Sequence, residues 1–349
     1  MAQMYNWMSE IRDNLTLSEI TMPGSHDAGI HTDAATKKGI VGLSSAVCQD
    51  KSIYEQCIAG SRFFDIRLKV SDSGARTYHL SVVGGALGQA SGSILTDVFT
   101  FLDRNPSEFV ILRFTKPKGG GEEIVRQVLN SSLQQRLFTS PTFVNFAASQ
   151  IRLLRGKAIC VFEADADDKG KVAFNSLMPK DGLHPFLRYT GAAHQYGIVA
   201  CGKYSNSSRL YEVIDGQVAH IDAHANHTGP HLFVLYWTQT FNPKKPWKQK
   251  FSTNIKGFSL KQRNLEKEMQ NQRISGGAHA NLDYLKNLLC TGRDLVTGQS
   301  KLAVRATTVE DRRRIMPNVI MYDFVNIKTS KEIVSLNNPG LRGHLVEED

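Results

Sequence analysis

Short continuous apolar runs recur along the chain and predict buried strands. The clearest runs cover residues 62–70, 109–114, 158–163, 232–238 and 319–325. Weaker candidates cover residues 19–22, 77–82 and 211–214. Most of these runs lack polar alternation, which is typical of strands that are covered on both faces of a sheet.

Helical periodicity fills several of the intervals between these runs. Residues 93–103 place Ile94, Val98 and Phe101 on one face, and Pro106 ends the pattern shortly before the next apolar run. Further helices are predicted over residues 121–133, 143–154 and 281–289.

The alternation of strands and helices predicts a parallel sheet with right-handed crossovers. The 349 residues suit one α/β domain, a closed TIM-type (β/α) barrel of about eight strands that spans residues 1–349. Two domains of average size are the alternative. Residues 164–207 and 240–264 are irregular and polar, and we expect them to form functional loops at one end of the barrel.

Composition indicates a globular, soluble chain, with 41% hydrophobic and 21% charged residues. Its 42 basic and 33 acidic residues give a net charge of +9, which favours either an anionic partner or simple solubility. No nucleic-acid-binding signature accompanies the basic residues, so we expect no nucleic-acid partner.

Cysteine spacing and the amino-terminal residues limit the class of protein further. The five cysteines are odd in number and form no CxxC pair, which argues against a disulfide framework and a structural zinc site. Residues 1–20 lack the apolar stretch of a signal peptide, and no run reaches the length of a membrane-spanning helix. We therefore expect a monomer made in soluble form, either cytoplasmic or exported by a non-classical route.

Polar side chains lie within or just past the ends of the predicted strands. Because the carboxyl ends of barrel strands form the active face, the fold itself predicts that these side chains converge. The candidates are His26, Asp27, Asp65, Arg67, His79, Lys116, Glu163, Tyr236, Trp237 and Asp323.

This set of residues can carry out displacement at phosphorus. His26 and His79 can act as general base and general acid, and each histidine needs a carboxylate to orient it and stabilise its charged form. Asp27 and Asp323 are available for that role. Arg67 and Lys116 can neutralise a phosphate, arginine through a forked contact of its guanidinium and lysine as a point charge.

Structural readings compete with the catalytic one. Asp65 and Arg67 face the same side of a strand and can form an ion pair that lines the barrel. His79 can be a core histidine, and Glu163 and Asp323 can be carboxylates of the barrel interior. A separate group of histidines has spacing that suits a metal, but no helix is evident there and we interpret it as a polar loop. That group is His220, His224, His227 and His231.

Four segments resemble the bacterial phosphatidylinositol-specific phospholipase C family. They are residues 22–29 (MPGSHDAG), 62–67 (RFFDIR), 101–112 (FLDRNPSEFVIL) and 319–324 (VIMYDF). The resemblance implies a distorted TIM-type barrel at a membrane surface that contains phosphatidylinositol. It also implies a two-step reaction, in which the inositol 2-hydroxyl attacks phosphorus, diacylglycerol leaves and a cyclic inositol phosphate forms.

The resemblance also implies residue roles. His26 is similar to the family's general base, oriented by Asp323, and His79 to its general acid, assisted by Asp27. Arg67 corresponds to the phosphate-stabilising cation, a role that calcium fills in metal-dependent relatives. Since arginine stands there, we expect no cofactor, with calcium as the alternative.

The resemblance also implies a substrate-binding set for the inositol ring and the phosphate, in which the aromatic stacking residue is either Tyr236 or Trp237. That set is Asp65, Lys116, Glu163, Tyr236 and Trp237.

Two positions depart from the family pattern. His79 is followed by Leu80, where the family usually has glycine, and Glu163 stands where an arginine is common. A loop at residues 242–251 mixes lysines with aromatics, which suits contact with anionic headgroups as well as it suits an ordinary solvated loop. Metal-dependent glycerophosphodiester phosphodiesterase or phospholipase D-like barrels and a catalytically inactive lipid-binding barrel are the rival hypotheses.

Overall fold

Eleven strands form a continuous sheet in a computed structural model of the chain. The structure describes residues 3–39, 46–81, 84–163, 177–191, 196–205, 207, 210–238, 282–293, 299–303, 308 and 313–338. The strands are β1 (Met22–Ser25), β2 (Thr36–Gly39), β3 (Phe63–Ser71), β4 (Gly74–Ser81), β5 (Gly84–Ala90), β6 (Val110–Lys118), β7 (Ala158–Glu163), β8 (Leu183–Arg188), β9 (Ile198–Cys201), β10 (Leu232–Tyr236) and β11 (Val319–Tyr322).

The described α-helices lie between or after these strands. They are α1 (Ile53–Ile58), α2 (Ser91–Arg104), α3 (Gly121–Leu129), α4 (Ile151–Leu154), α5 (Leu210–His224), α6 (Leu282–Thr291) and α7 (Ile327–Val334). Short 3₁₀ turns occupy Trp7–Glu10, Leu17–Glu19, Ser132–Arg136, Phe146–Ala148, Pro179–Asp181 and Ser335–Asn337. No helix among the described residues is both long and apolar enough to cross a bilayer.

The sheet closes into a barrel because β1 pairs with both β11 and β3. The ring contains β1, β3 and β6 to β11, and all of its pairings are parallel. Outside the ring, β4 extends β3 in the antiparallel sense, followed by β5 and β2. The predicted TIM-type α/β barrel is therefore confirmed.

Side chains alternate between two environments along each barrel strand, as the period of two requires. On β3, Phe63 belongs to the cluster that fills the barrel, whereas Phe64 and Ile66 pack against the surrounding helices. On β10, Val234 faces the interior and Leu235 faces the outer helices.

Several element predictions were wrong, and the errors have a common cause. The strand predicted at 19–22 begins only at Met22, and the strand predicted at 211–214 lies inside α5. The polar segment 164–207 contains β8 and β9, while only a 3₁₀ turn and α4 form within 143–154. Short apolar runs with few flanking signals are ambiguous between helix and strand until tertiary packing selects one. Residues 240–264 lie outside the described part of the chain.

A buried ion pair joins the amino-terminal residues to the base of the barrel. Glu108 Oε2 accepts hydrogen bonds from Arg62 Nε at 2.8 Å and Nη2 at 2.6 Å, and both side chains are fully buried. Arg62 also donates to the carbonyl oxygens of Cys57, Ser61 and Tyr5, each at 2.8 Å. One guanidinium therefore satisfies a carboxylate and several backbone acceptors that water cannot reach.

Candidate active site

The interior of the barrel changes from apolar to polar toward the carboxyl ends of its strands. Along β3 the interior positions run from Phe63 to Asp65 and Arg67. On β6, Arg113 lies beside Asp65 and Thr115 lies beside Arg67 in the parallel register. These polar side chains thus occupy the end of the barrel where active sites of this fold form.

His26 lies directly after β1 and is held between two carboxylates. Its Nδ1 donates to Asp323 Oδ1 at 2.8 Å, and its Nε2 lies 3.2 Å from Asp27 Oδ2. Only 3% of the histidine is exposed. The Asp323 carboxylate can only accept, so it holds Nδ1 as the donor and leaves Nε2 directed toward Asp27.

The buried Gln49 amide locks the backbone around this histidine. Its Nε2 donates to the carbonyl oxygen of His26 at 2.9 Å, and its Oε1 accepts from the backbone N–H of Val325 at 3.0 Å. One side chain therefore joins the segment after β1 to the segment after β11, the two segments that carry His26 and Asp323. No periodic or motif signal in the sequence pointed to Gln49.

The environment of His26 favours its charged form. Burial opposes the imidazolium, but the Asp27 and Asp323 carboxylates outweigh this effect and hold the pKa of His26 well above its usual value. In the resting site at neutral pH, His26 therefore retains its proton to a larger extent than a free histidine does. Activity that requires neutral His26 is then expected to rise with pH through that raised pKa.

Asp27 is the point where the catalytic candidates meet. Its Oδ1 lies 2.9 Å from Arg67 Nε, and its Oδ2 lies 3.2 Å from His26 Nε2 and 3.5 Å from His79 Nε2. Burial disfavours the carboxylate, but Arg67, His26 and His79 together lower the pKa of Asp27. Asp27 adopts a left-handed backbone conformation, with φ of 42°, which aspartate tolerates better than most residues.

His79 reaches this site from β4, outside the barrel ring. β4 pairs with β3 through Leu68 and Thr77, and the strand then carries His79 past the end of that pairing. A quarter of the His79 side chain is exposed, in contrast to the buried His26. The side chain of the following residue, Leu80, lies outside the described part of the structure.

A second polar group adjoins the first through Asp65. This carboxylate accepts from Thr115 Oγ1 at 3.1 Å and from the Tyr204 hydroxyl at 3.0 Å. The Tyr204 ring also lies 5.2 Å from the His26 ring and 3.9 Å from the Tyr236 ring, centroid to centroid. Tyr204 therefore links the histidine pair to the rest of the pocket.

Arg113 completes this second group. Its Nη1 donates to the Tyr236 hydroxyl and its Nη2 to Glu163 Oε1, both at 2.6 Å. The guanidinium also lies 4.1 Å from the centroid of the Phe186 ring. Burial disfavours the charge, but Tyr236, Asp65 and Glu163 raise the pKa of Arg113, which remains a fixed cation.

The structure brings together all but two of the candidate side chains. Trp237 packs with the outer cluster between the barrel and its helices, on the opposite side of β10 from Tyr236, so of these two alternatives for the stacking residue only Tyr236 lies with the other candidates. The side chain of Lys116 lies outside the described residues. The sequence interpretation missed Tyr204 because β9, the strand that precedes it, was not predicted.

The described carboxylates of the site already contact cationic groups. Asp27 contacts Arg67, Glu163 contacts Arg113, and Asp323 contacts His26. His26, Asp27 and Cys48 bring donor atoms within 4.8 Å of one another. Of these three residues, His26 already contacts Asp323 and Asp27 already contacts Arg67. Calcium prefers six to eight oxygen ligands, so it would have to displace these cations.

Known proteins resemble the chain in sequence over part of its length. No family model matches the chain. Over 140 residues it is 30% identical to a 1-phosphatidylinositol phosphodiesterase of Staphylococcus aureus strain Newman, and the matched region covers 40% of this chain and 43% of that relative. Over 160 residues it is 26% identical to a Listeria monocytogenes protein of the same name, and the matched region covers 45% of this chain and 48% of that relative. The match therefore spans less than half of either relative.

Solved structures resemble the chain over nearly its whole length. Phosphatidylinositol-specific phospholipase C from Listeria monocytogenes aligns with a TM-score of 0.57 and 16% identity, over 97% of this chain and 100% of that one. A Staphylococcus aureus enzyme of the same name, studied for modulation of its membrane binding, aligns with a TM-score of 0.58 and 17% identity, over 95% and 97%. The resemblance predicted from the sequence is thus confirmed in sequence and in fold.

Proposed function

We propose that the protein is a phosphodiesterase that cleaves phosphatidylinositol, or a related inositol lipid, to diacylglycerol and a cyclic inositol phosphate. The observation that carries the proposal is the Asp27 carboxylate, which contacts His26, His79 and Arg67 at once. Such an arrangement provides a base, an acid and a fixed cation within reach of one phosphodiester. The whole chain, residues 1–349, is proposed to act as one catalytic domain.

In the first step, neutral His26 removes the proton of the inositol 2-hydroxyl through Nε2. The hydroxyl oxygen bonds to phosphorus, and Arg67 stabilises the charge that develops on the phosphate oxygens. The bond between phosphorus and the diacylglycerol oxygen breaks, and His79 donates a proton to that leaving oxygen. Asp323 and Asp27 stabilise the imidazolium forms of the two histidines.

The second polar group is proposed to bind the inositol ring. Asp65 and Glu163 are proposed to accept hydrogen bonds from ring hydroxyls, and Tyr236 is proposed to contact the ring with its aromatic face. Arg113 holds Glu163 and Tyr236 in place through hydrogen bonds. Lys116 remains a proposed ligand of the phosphate or the ring. Because Glu163 carries negative charge, it would repel phosphates added to the ring.

The test of the function is cleavage of vesicles that contain phosphatidylinositol, with phosphatidylcholine vesicles as the control substrate. We expect a cyclic inositol phosphate as the first product, identified by its phosphorus NMR signal, and diacylglycerol in equal amount. Release of a linear phosphate or of phosphatidic acid as the first product would favour the metal-dependent rival barrels. Binding to vesicles with no cleavage would favour the inactive lipid-binding barrel.

Catalysis is proposed to need no metal, because Arg67 supplies the positive charge at the phosphate. We expect the initial rate of cleavage to be the same in excess EDTA and in added Ca²⁺. The measurement is the rate of diacylglycerol release from the same vesicles under both conditions. An EDTA-sensitive rate that Ca²⁺ restores would overturn the metal-independent mechanism.

Replacing Asp323 with asparagine is expected to shift the pH dependence of kcat/KM. The wild-type rate should rise with pH as His26 loses its proton, and Asp323 is one of two carboxylates that raise the pKa of His26. Removing that negative charge favours the neutral imidazole, so the acidic limb should move to lower pH while the maximal rate falls. Asp65 is not among the carboxylates that raise the pKa of His26, so Asp65→Asn should leave the position of the limb unchanged. An unmoved limb in Asp323→Asn would contradict the assignment.

Contact with the membrane is proposed to be peripheral. The net charge of +9 suits an anionic bilayer surface, and the substrate itself resides there. The loop at residues 242–251, which mixes lysines with aromatics, lies outside the described residues. No nucleic acid and no second subunit enter the proposal.

A further inference from the structure

Four potential metal ligands meet on the outer side of the barrel, away from the catalytic residues. Cys201 ends β9, His224 is the last residue of α5, and His227 and His231 lie in the connection to β10. One donor atom from each of the four lies within 4.8 Å of all the others. The sequence predicted a polar loop for the histidines, whereas α5 extends to His224 and β9 contributes Cys201.

The spacing of the donor atoms is close to that of a tetrahedral zinc site. His224 Nδ1 lies 3.0 Å from His231 Nε2, and Cys201 Sγ lies 3.7 Å from His224 Nδ1. With bonds of about 2.1 Å to nitrogen and about 2.3 Å to sulfur, neighbouring donors around Zn²⁺ lie about 3.3–3.7 Å apart. The two distances therefore lie within about 0.3 Å of the tetrahedral range, and the remaining donor pairs lie within 4.8 Å.

The surroundings orient the histidines as metal sites require. His231 Nδ1 lies 2.8 Å from the carbonyl oxygen of Gly229, which leaves Nε2 directed at the cluster. The His227 ring stacks on Tyr189 with centroids 4.1 Å apart, and the His224 ring stacks on Phe233 at 4.4 Å. Among the described residues, His227 Nδ1 is buried with no hydrogen-bond partner. A buried nitrogen without a hydrogen bond has lost its hydration without compensation, and coordination to a metal ion would provide that compensation.

We propose that Cys201, His224, His227 and His231 bind one zinc-class divalent transition metal ion. Thiolate and imidazole are the ligands that such ions prefer, and four protein ligands make a closed, structural site. Because the thiolate is the ligand, metal binding releases the proton of the Cys201 thiol to solvent. The bound ion joins β9, the end of α5 and the start of β10.

This position would connect metal binding to the stability of the proposed substrate pocket. β9 continues within three residues to Tyr204, and β10 ends at Tyr236. Gln217 of α5 already donates to the Lys203 carbonyl at 2.9 Å and accepts from the Tyr236 backbone N–H at 3.1 Å. The ion would join the carboxyl end of β9, the carboxyl end of α5 and the residue before β10, whereas none of its proposed ligands is a proposed catalytic side chain.

The test uses the full chain without a histidine tag, dialysed against Zn²⁺ and then against metal-free buffer. We expect about one zinc per chain by elemental analysis and a higher melting temperature with zinc than without it. Replacing zinc with Co²⁺ should give visible bands of tetrahedral cobalt and a thiolate charge-transfer band. EDTA should lower the melting temperature without changing the initial rate of lipid cleavage well below that temperature.

Matched variants identify the ligands. Cys201→Ser and His231→Gln are each expected to lower zinc affinity at least about tenfold, and Cys201→Ser should abolish the charge-transfer band. Cys290→Ser and His220→Gln, which alter a cysteine and a histidine outside the cluster, should bind zinc as the wild type does. Substoichiometric zinc in the wild type, or equal binding by all four variants, would overturn the proposal and leave a hydrogen-bonded histidine cluster.

Discussion

Replacing His26 with alanine should lower kcat/KM for phosphatidylinositol vesicles by about 10³-fold or more, within the range that general acid–base groups contribute. The mutation removes the only proposed acceptor of the 2-hydroxyl proton. The measurement is the initial rate of diacylglycerol release at several lipid concentrations, so that kcat and KM are separated. We expect the loss in kcat, because the proton moves only in the transition state.

Removing His26 also leaves Asp27 and Asp323 without a shared partner, so the folded state needs its own control. His26→Gln places a polar amide where the imidazole stood. Melting curves of His26→Ala and His26→Gln report whether the barrel remains folded. His220→Gln, a change in a histidine of α5 outside the site, should keep the wild-type rate. His79→Ala should also lower kcat strongly. Wild-type rates in a folded His26→Ala variant would eliminate the two-histidine mechanism.

Replacing Glu108 with alanine should destabilise the protein by about 3–5 kcal/mol, the cost of leaving one partner of a buried ion pair uncompensated. Arg62 is fully buried and would keep its charge among the backbone carbonyls that it contacts. Since folded domains have a net stability of about 5–15 kcal/mol, this loss is a large share of the total. The measurement is denaturant unfolding followed by circular dichroism.

An exposed ion pair provides the comparison for this result. Asp103 lies 2.5 Å from Arg136 and is more than half exposed, so Asp103→Ala should change the unfolding midpoint little. If Glu108→Ala yields too little folded protein, Glu108→Gln retains the shape and should give an intermediate midpoint. Equal midpoints for the Glu108 and Asp103 variants would mean that the buried pair is not a major source of stability.

The periodicity of the chain was sufficient to predict the barrel but not all of its members. The runs that became β3, β6, β7, β10 and β11 are long and apolar, because these strands are covered on both faces. β9 has only four residues and follows a polar segment, so its local signal is weak. The run at 211–214 joined α5 instead, since short apolar segments depend on their tertiary partners.

Candidate site residues were recoverable where polar groups interrupt an apolar strand. A carboxylate and a guanidinium two residues apart inside β3 stand out in any sequence, and so does the charged turn after β1. Trp237 could not be assigned in this way, because a shift of one residue at the end of a strand moves a side chain from the barrel interior to its outer surface. Tyr204 contacts Asp65 across the barrel and Gln49 joins the segments after β1 and β11, and such long-range contacts leave no trace in the local sequence pattern.

By itself the sequence determined the fold class, the polar groups at the strand ends and the resemblance to known phospholipases, because each of these depends on local pattern or short motifs. Only the tertiary structure decided which groups meet. It brought His26 between Asp27 and Asp323, carried His79 to the same carboxylate from outside the ring, and assembled Cys201 with three histidines up to 30 residues away. Barrel closure and strand register set these contacts, and both arise from packing over the whole chain.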